Sequence, residues 1–478
     1  MLEKIFKLKE NGTDVKTEVI AGFTTFMSMV YIVALNPNLL TGFASPEMGG
    51  QQLWNAVFLA TCIGAAFGTI LLAFFANKPF ALAPGMGTNS LFAVVAANIA
   101  TVAGVGYLQG FQAGLCIVLI EGIVFLIISV LKVRDQIINA IPLGIRLGIS
   151  PAIGLMLMNI GFGSNAGVGF KADGSQYFIM SDFFGALSAK NFMAELGENW
   201  PLMILTVATI FIGILVIVFL RHLKAKGAVL YGMIIASIIY WESEIVFLGV
   251  NPFAGLATAN WIPSFSDLGA LTLLKFDFKT LGSLGLLSIA TLILTFFVVD
   301  MYDTIGTLIG VAGKAEILDE DGCFKGMKEC LITDAASTVV GACVGTSTVT
   351  TYIESSSGAE AGGRTGLAAI VTGLMFLVCM FIEPLFALIP SAATSSALIY
   401  VGTLMLHGLT KIDLSDVSNS IPVFVMLLAM PVSGSISNGI GLALITYSGI
   451  KVVTGKSNDV SWLTWIASVI FLIKFLFV

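Results

Sequence analysis

The chain has 478 residues, 57% of them hydrophobic and only 11% charged, with a mean hydropathy of +0.97. A soluble domain is about a quarter charged, so composition excludes one and indicates an integral membrane protein. The net charge of −6 does not point to nucleic acid, because in a bilayer the placement of Lys and Arg outweighs their sum.

The N-terminal MLEKIFKLKENGTDVKTE is charged and has no apolar h-region, so no cleaved signal peptide is expected. A spanning helix needs about 20 mostly apolar residues. The first candidates lie near 18–37, 53–76, 82–99, 107–131, 137–160, 201–220 and 227–248. A second series lies near 283–311, 329–344, 346–361, 366–388, 391–406 and 420–432, closed by either 435–451 or 461–477. The expected fold class is an all-α polytopic membrane protein of about 14 transmembrane segments. Lys4, Lys7, Lys9 and Lys16 precede the first span, and Lys132 and Arg134 follow the fourth. Arg221, Lys224 and Lys226 follow the sixth, and Lys314, Lys325 and Lys328 the eighth. All fall on one side, which the positive-inside rule makes cytoplasmic, together with the N-terminus.

The two series share a signature. IPLGIRLGISPAIGLMLM starts at Ile141 and IPSAATSSALIYVGTLML at Ile389; each has a glycine twelve residues after its proline, Pro142 to Gly154 and Pro390 to Gly402. Both open the fifth span of their series. Seven is odd, so the second copy enters from the opposite side, giving a 7+7 inverted repeat of the secondary-transporter type.

In such proteins the substrate sits where short or interrupted helices meet at mid-membrane. The third span of each series fits. PFALAPGMGTNSLFA, from Pro79, carries Pro84, Gly85 and Gly87, which argue against continuous helix. An extended piece over 80–87 is expected, with a helix starting near Thr88 and Asn89 in its first turn, where unpartnered N–H groups favour a polar ligand. GTSTVTTYIESSSGAEAGG, from Gly345, runs through a β-rich stretch, Thr346 to Ile353, before Glu354 and a helix start. Two short extended segments, in spans 3 and 10, are thus expected at the site, with the backbone of Gly87, Thr88 and Ile353 available. Asn89 and Glu354 hold matching places, Thr351 precedes Glu354 closely, and Phe92 or Phe80 can stack on a flat ligand. Gly306 with Gly310, or Gly358 with Gly362, also suit close helix packing.

FFVVDMYDTIGTLIG, from Phe296, puts Asp300 and Asp303 near the middle of the eighth span. Three residues apart on a helix, they share a face with Thr304 and Thr307. Intramembrane acids face a cavity or the bundle interior and mark substrate or proton paths. Among Asp300, Asp303 and Glu354, one member can hold a proton at neutral pH and release it. Other charges have plainer readings: Glu121 paired with a neighbour or near the interface, Arg146 and Arg364 as cytoplasmic-end anchors, Glu383 interfacial. Cys62, Cys116, Cys343 and Cys379 read as small hydrophobes. Cys323 and Cys330 have no histidine near them, and His222 and His407 lie in loop-like segments, so no metal site or cofactor is expected.

NGTDVKTEVIAGFTTFMSMVYIVALNP, PFALAPGMGTNS, VVDMYDTIGTLIG and TSTVTTYIESSSGAEAGGRTGL resemble the signature segments of the AzgA-like (azaguanine-resistance-type) guanine/hypoxanthine permeases, a branch of the nucleobase–cation symporters. The resemblance covers essentially the whole chain. It implies a core domain from 1–134 and 283–388 and a gate domain from 135–282 and 389–478. It also implies proton-coupled, elevator-like import of guanine and hypoxanthine across a bacterial inner membrane, or of adenine in a related subgroup. The family's third-span asparagine falls on Asn89, its eighth-span acids on Asp300 and Asp303, and its tenth-span glutamate on Glu354. Thr88 and Ser90 depart from the family's usual neighbours of that asparagine, which bears on the preferred base. In this reading Glu354 and Asp303 contact a purine, Asp300 or Asp303 carries the proton, and the protein is not an enzyme. The apolar gate faces are compatible with a homodimer. Two rivals stand beside it. An intramembrane aspartyl protease needs a second aspartate in a Gly-x-Gly-Asp setting, where this chain offers Asp334 after Thr333. A carrier of pyrimidines or anions on the same architecture is the other; an anion site favours a basic group where Glu354 stands.

Overall fold

A computed structural model describes residues 2–42, 45–131, 142–163, 190, 200–225, 227–315, 317, 324–433 and 436–477. Lys132, Arg134, Ile141, Lys226 and Cys323 lie outside that set, as do the side chains of Tyr302 and Lys314. The first half contains α1 (Val15–Met29), α2 (Ile32–Thr41), α3 (Gly50–Phe75), β1 (Leu82–Pro84), α4 (Met86–Ala103) and α5 (Tyr107–Val130). It continues with α6 (Leu143–Phe162), α7 (Trp200–His222) and α8 (Ala228–Ser243). The second half contains α9 (Leu286–Lys314), α10 (Met327–Val344), β2 (Val349–Thr351), α11 (Ser355–Glu360) and α12 (Gly366–Cys379). It ends with α13 (Ser391–Met405), α14 (Val417–Ser433), α15 (Ile436–Val453) and α16 (Trp462–Phe477).

Among the described residues, ten helices are long and apolar enough to cross a membrane. Large apolar side chains such as Phe75, Leu215, Phe219 and Phe424 are exposed on the outside, as contact with lipid tails requires. The chain is a multi-pass membrane protein.

Three boundaries differ from expectation. The alternatives at the C-terminus are both helical, α15 and α16. Of the span expected at 346–361, the helical part is only α11. α4 begins at Met86 rather than near Thr88, because Gly85 already serves as its N-cap with extended φ −69° and ψ 127°. Thr88 then sits one turn in and donates to Gly85 O at 2.8 Å.

The helices pack as two groups. α12 lies on α3 and α1, α10 on α5 and α3, and α5 on α4 and α9. Separately, α13 lies on α6, α7 and α8, and α14 on α6 and α15. Helix association within lipid lacks a hydrophobic drive and depends on close packing of small residues. Gly154 of α6 and Gly402 of α13 show this: a Cβ on either would lie 2.5 Å from the other's carbonyl oxygen. The two sequence-matched glycines meet each other, reciprocally.

Between the helices, β1 and β2 form an antiparallel pair with Leu82 opposite Thr351, Ala83 opposite Thr350 and Pro84 opposite Val349. Two strands leave two unpaired edges, and at membrane depth each backbone group needs a partner from protein. Thr69 of α3 serves one edge, accepting from Leu82 N at 2.9 Å and donating to Leu82 O at 3.0 Å. Thr338 of α10 serves the other, accepting from Val349 N at 3.2 Å, with its one hydroxyl proton shared between Val349 O at 3.3 Å and Asp300 Oδ2 at 3.2 Å. Asp334 takes the Thr351 N–H at 2.9 Å. A short sheet can therefore survive inside a helical bundle.

Candidate functional site

The chain leaves β2 through Tyr352 and Ile353 and turns into α11 at Glu354, whose helical φ of −60° and ψ of −19° continue directly into Ser355. The Glu354 carboxylate does not cap α11. It accepts a hydrogen bond from the Tyr31 hydroxyl at 2.6 Å. Tyr31 is fully buried at the junction of α1 and α2, and the same hydroxyl lies 3.8 Å from Met86 Sδ. Asp303 of α9 is partly exposed, as are Glu354 and Met86, and Ile353 is 44% exposed. Asp303 lies within electrostatic reach of Glu354. One turn further along α9, a Cβ on Gly306 would meet nothing within 4 Å. Gly306 thus borders open space rather than a helix contact, and two acids and a glycine line one opening.

Behind the strand pair the arrangement is closed. Asn89 is fully buried; its Oδ1 accepts a short hydrogen bond from the Ser347 hydroxyl, and its Nδ2 donates to Pro84 O at 3.3 Å. Thr348 donates to Thr88 at 2.6 Å. These bonds tie the two broken segments together. Asp334, also fully buried, accepts from Thr351 N at 2.9 Å, from Thr351 Oγ1 at 3.1 Å and from Thr304 Oγ1 at 2.8 Å. Asp300 is buried with one oxygen accepting from Thr338 at 3.2 Å and the other without a partner. Glu121 of α5 is fully buried with neither oxygen partnered.

The structure therefore brings together some expected residues and separates others. Asp303, Glu354 and Ile353 lie at the opening, with Met86 of α4 beside Tyr31; Gly87 and Thr88 are buried. Asn89, Thr351 and Asp300 lie on the enclosed side. Phe92 is fully buried, edge-on to Phe111 with ring centroids 4.9 Å apart, and Phe80 packs the same way on Phe324. Both rings have protein partners. The Arg364 guanidinium donates to Ala359 O and Gly363 O at 2.6 and 2.8 Å, closing the end of α11. Glu383 is 7% exposed. Glu121 sits well inside α5 rather than near an interface.

Sequence reading passed over Tyr31, Thr69, Thr338 and Glu18. The last accepts from the backbone N–H of Arg364, Thr365 and Ala368 and so caps α12. Asp334 enters the sequence reading only as the candidate second aspartate of a protease. Asp334 had a findable signal, an acid within a mostly uncharged helix; Tyr31 in MVYIVAL had none. A separate apolar cavity of about 250 Å³ lies where α9 meets α15 and α16, lined by residues such as Phe297, Met301, Leu444 and Phe471. It lacks the polar groups of the opening and faces the lipid-exposed helices.

Comparison with known proteins identifies the family. A family model described as a permease family, of the xanthine/uracil type, matches residues 16–189 and 185–442. The chain is 37% identical to the adenine permease AdeP of Escherichia coli, covering 100% of this chain and 96% of that one. It is 34% identical to the guanine/hypoxanthine permease PbuO of Bacillus subtilis, over 98% of this chain and 99% of that one. In fold it is similar to the transmembrane domain of the cyanobacterium bicarbonate transporter BicA, with a TM-score of 0.60 at 16% identity, covering 90% of this chain and 97% of that one. These relatives are transporters, which answers the protease alternative. The chain belongs to the xanthine/uracil permease family, as a nucleobase permease and not an enzyme.

Proposed function

We propose that the protein imports purine nucleobases, guanine and hypoxanthine foremost, by proton symport, with the base held between Glu354 and Asp303. The observation that carries this is the convergence of two partly exposed acids, from α9 and α11, on one opening inside the bundle. A carboxylate is an acceptor-only group with two oxygens. Guanine presents an adjacent N1–H and 2-amino group, and hypoxanthine an N1–H, so an ionised Glu354 fits their edge. Tyr31 holds that carboxylate in place with its hydroxyl. A site built on such bonds strongly rejects a ligand that leaves its polar atoms unpaired. Anions are disfavoured because Glu354 and Asp303, which line the opening, are acids.

Adenine is the second reading, favoured by the 37% identity to an adenine permease over the whole chain. Adenine lacks an N1–H, so one acid would bind it protonated.

All the residues named at the opening and behind it belong to the group built from α1–α5 and α9–α12. That group serves as the core, and α6–α8 with α13–α16 as the gate. The reciprocal Gly154–Gly402 contact and the matching roles of Thr69 and Thr338 support an inverted repeat. A Cβ on Gly87 would lie 3.0 Å from the Ile153 side chain of α6, so the broken segment slides along an apolar gate surface. Glu354 lies within electrostatic reach of Arg221, at the α7 end expected to be cytoplasmic, which supports an opening toward the cytoplasm with the N-terminus on that side. The test is uptake of radiolabelled guanine, hypoxanthine and adenine in permease-deficient cells, with and without an uncoupler. Guanine and hypoxanthine uptake that collapses with the uncoupler is expected; uptake of none of the three would overturn the reading.

A further inference from the structure

Among the described residues Glu121 is the carboxyl with both oxygens buried and unpartnered. Its carboxyl is fully buried in α5, and both oxygens lack a hydrogen-bond partner. Buried polar atoms are rarely left so; an orphaned carboxyl points to something that binds it. The adjacent residue, Gly122, lets α5 approach α10 closely: a Cβ there would lie 3.0 Å from Thr338 Cγ2 and 3.1 Å from Val339 N. Thr338 is the residue that donates to Asp300 Oδ2. Glu121, Thr338 and Asp300 therefore share one level, and Asp300 Oδ1 is likewise unpartnered. The charged groups acting on Asp300 are Glu121, Asp334 and Asp303, and Asp334 also acts on Glu121. All are acids. α4, on the remaining side of α5, contributes the neutral Asn89, and Asp277 stands near Cys116, more than one turn away along α5.

We infer that Glu121 and Asp300 together hold the coupling proton, at a site enclosed behind the strand pair and separate from the base-binding acids Asp303 and Glu354. Two carboxylates sharing a dry pocket cannot both stay ionised. A proton on either one removes the second charge and leaves a single negative charge on the pair. Thr338 links the pair to transport, because one hydroxyl bonds both Asp300 and the β2 backbone at Val349. Loss of the proton thereby reaches the strand that leads into Glu354.

This rests on the symport reading, and the experiment separates the two. Wild type, Glu121→Gln and Asp300→Asn are reconstituted in liposomes with a trapped pH indicator. Base affinity, base exchange and accumulation under an imposed pH gradient are measured. Each neutral variant mimics a permanently protonated pair. It should bind guanine within about threefold of wild type, well short of the tenfold that corresponds to about 1.4 kcal/mol. It should exchange base across the membrane, but lose gradient-driven accumulation and the base-coupled proton signal. Glu121→Gln that accumulates base with a wild-type proton signal would overturn the inference, as would loss of base binding in both variants. Wild type that transports guanine but ignores the pH gradient would instead overturn the symport reading.

Discussion

The acids at the opening and the acids behind the strands have the same chemistry and opposite settings. Glu354 and Asp303 are partly exposed, and Glu354 is steadied by one hydroxyl from Tyr31. Asp300, Asp334 and Glu121 are fully buried; Asp334 is saturated with three donors, while Glu121 has none. An acid that meets a passing ligand needs free acceptor capacity and a path. One that fixes a strand needs every lone pair occupied. A carboxyl left enclosed and unpartnered suits neither task, and suits a proton.

The largest effect expected from this contrast is at the opening. Glu354→Ala and Asp303→Ala should each reduce guanine uptake to background. Hydrogen bonds to charged groups contribute about 1.5–3 kcal/mol, so affinity should fall by roughly one to two orders of magnitude per site. Radiolabelled uptake with surface expression checked by blot measures this. Next comes Asp334→Ala, which strands the buried Thr351 N–H and two hydroxyls. An unsatisfied buried group costs about 1–3 kcal/mol, so the purified protein should melt several degrees lower in a thermal-shift assay, with uptake reduced in proportion to folded protein. Gly402→Leu drives a side chain into the Gly154 carbonyl. Overpacking of that kind costs about 1–3 kcal/mol and should lower thermal stability and slow exchange, while base affinity measured by calorimetry stays unchanged. Tyr31→Phe is the mildest. It removes one donor from Glu354 and should weaken guanine binding by about three- to tenfold, in line with about 0.5–1.5 kcal/mol per hydrogen bond.

Much of this contrast was visible in the sequence, because a polar residue inside an apolar run is costly enough to need a reason. Asp300, Asp303, Glu354 and Asn89 were found that way, and the glycine–proline content around Pro84 indicated a broken helix. Which side of the sheet each residue occupies was not visible. Three residues turn a helix through about 300°, and the remaining divergence is enough to send Asp303 to the opening and Asp300 to Thr338. Asn89 reads as a ligand group in one dimension, yet its amide is occupied by Ser347 and Pro84, partners from either broken segment. Tyr31 reaches Glu354 across 323 residues, a contact no local pattern encodes. Thr69 and Thr338 were overlooked because threonine is ordinary in membrane helices; their role exists only once two strands need edge partners.

The most direct test is calorimetric titration of guanine into purified Glu354→Gln and Asp300→Asn, side by side with wild type. Binding heat should disappear with Glu354→Gln and persist with Asp300→Asn. Unchanged affinity in Glu354→Gln, or an equal loss in both, would contradict it.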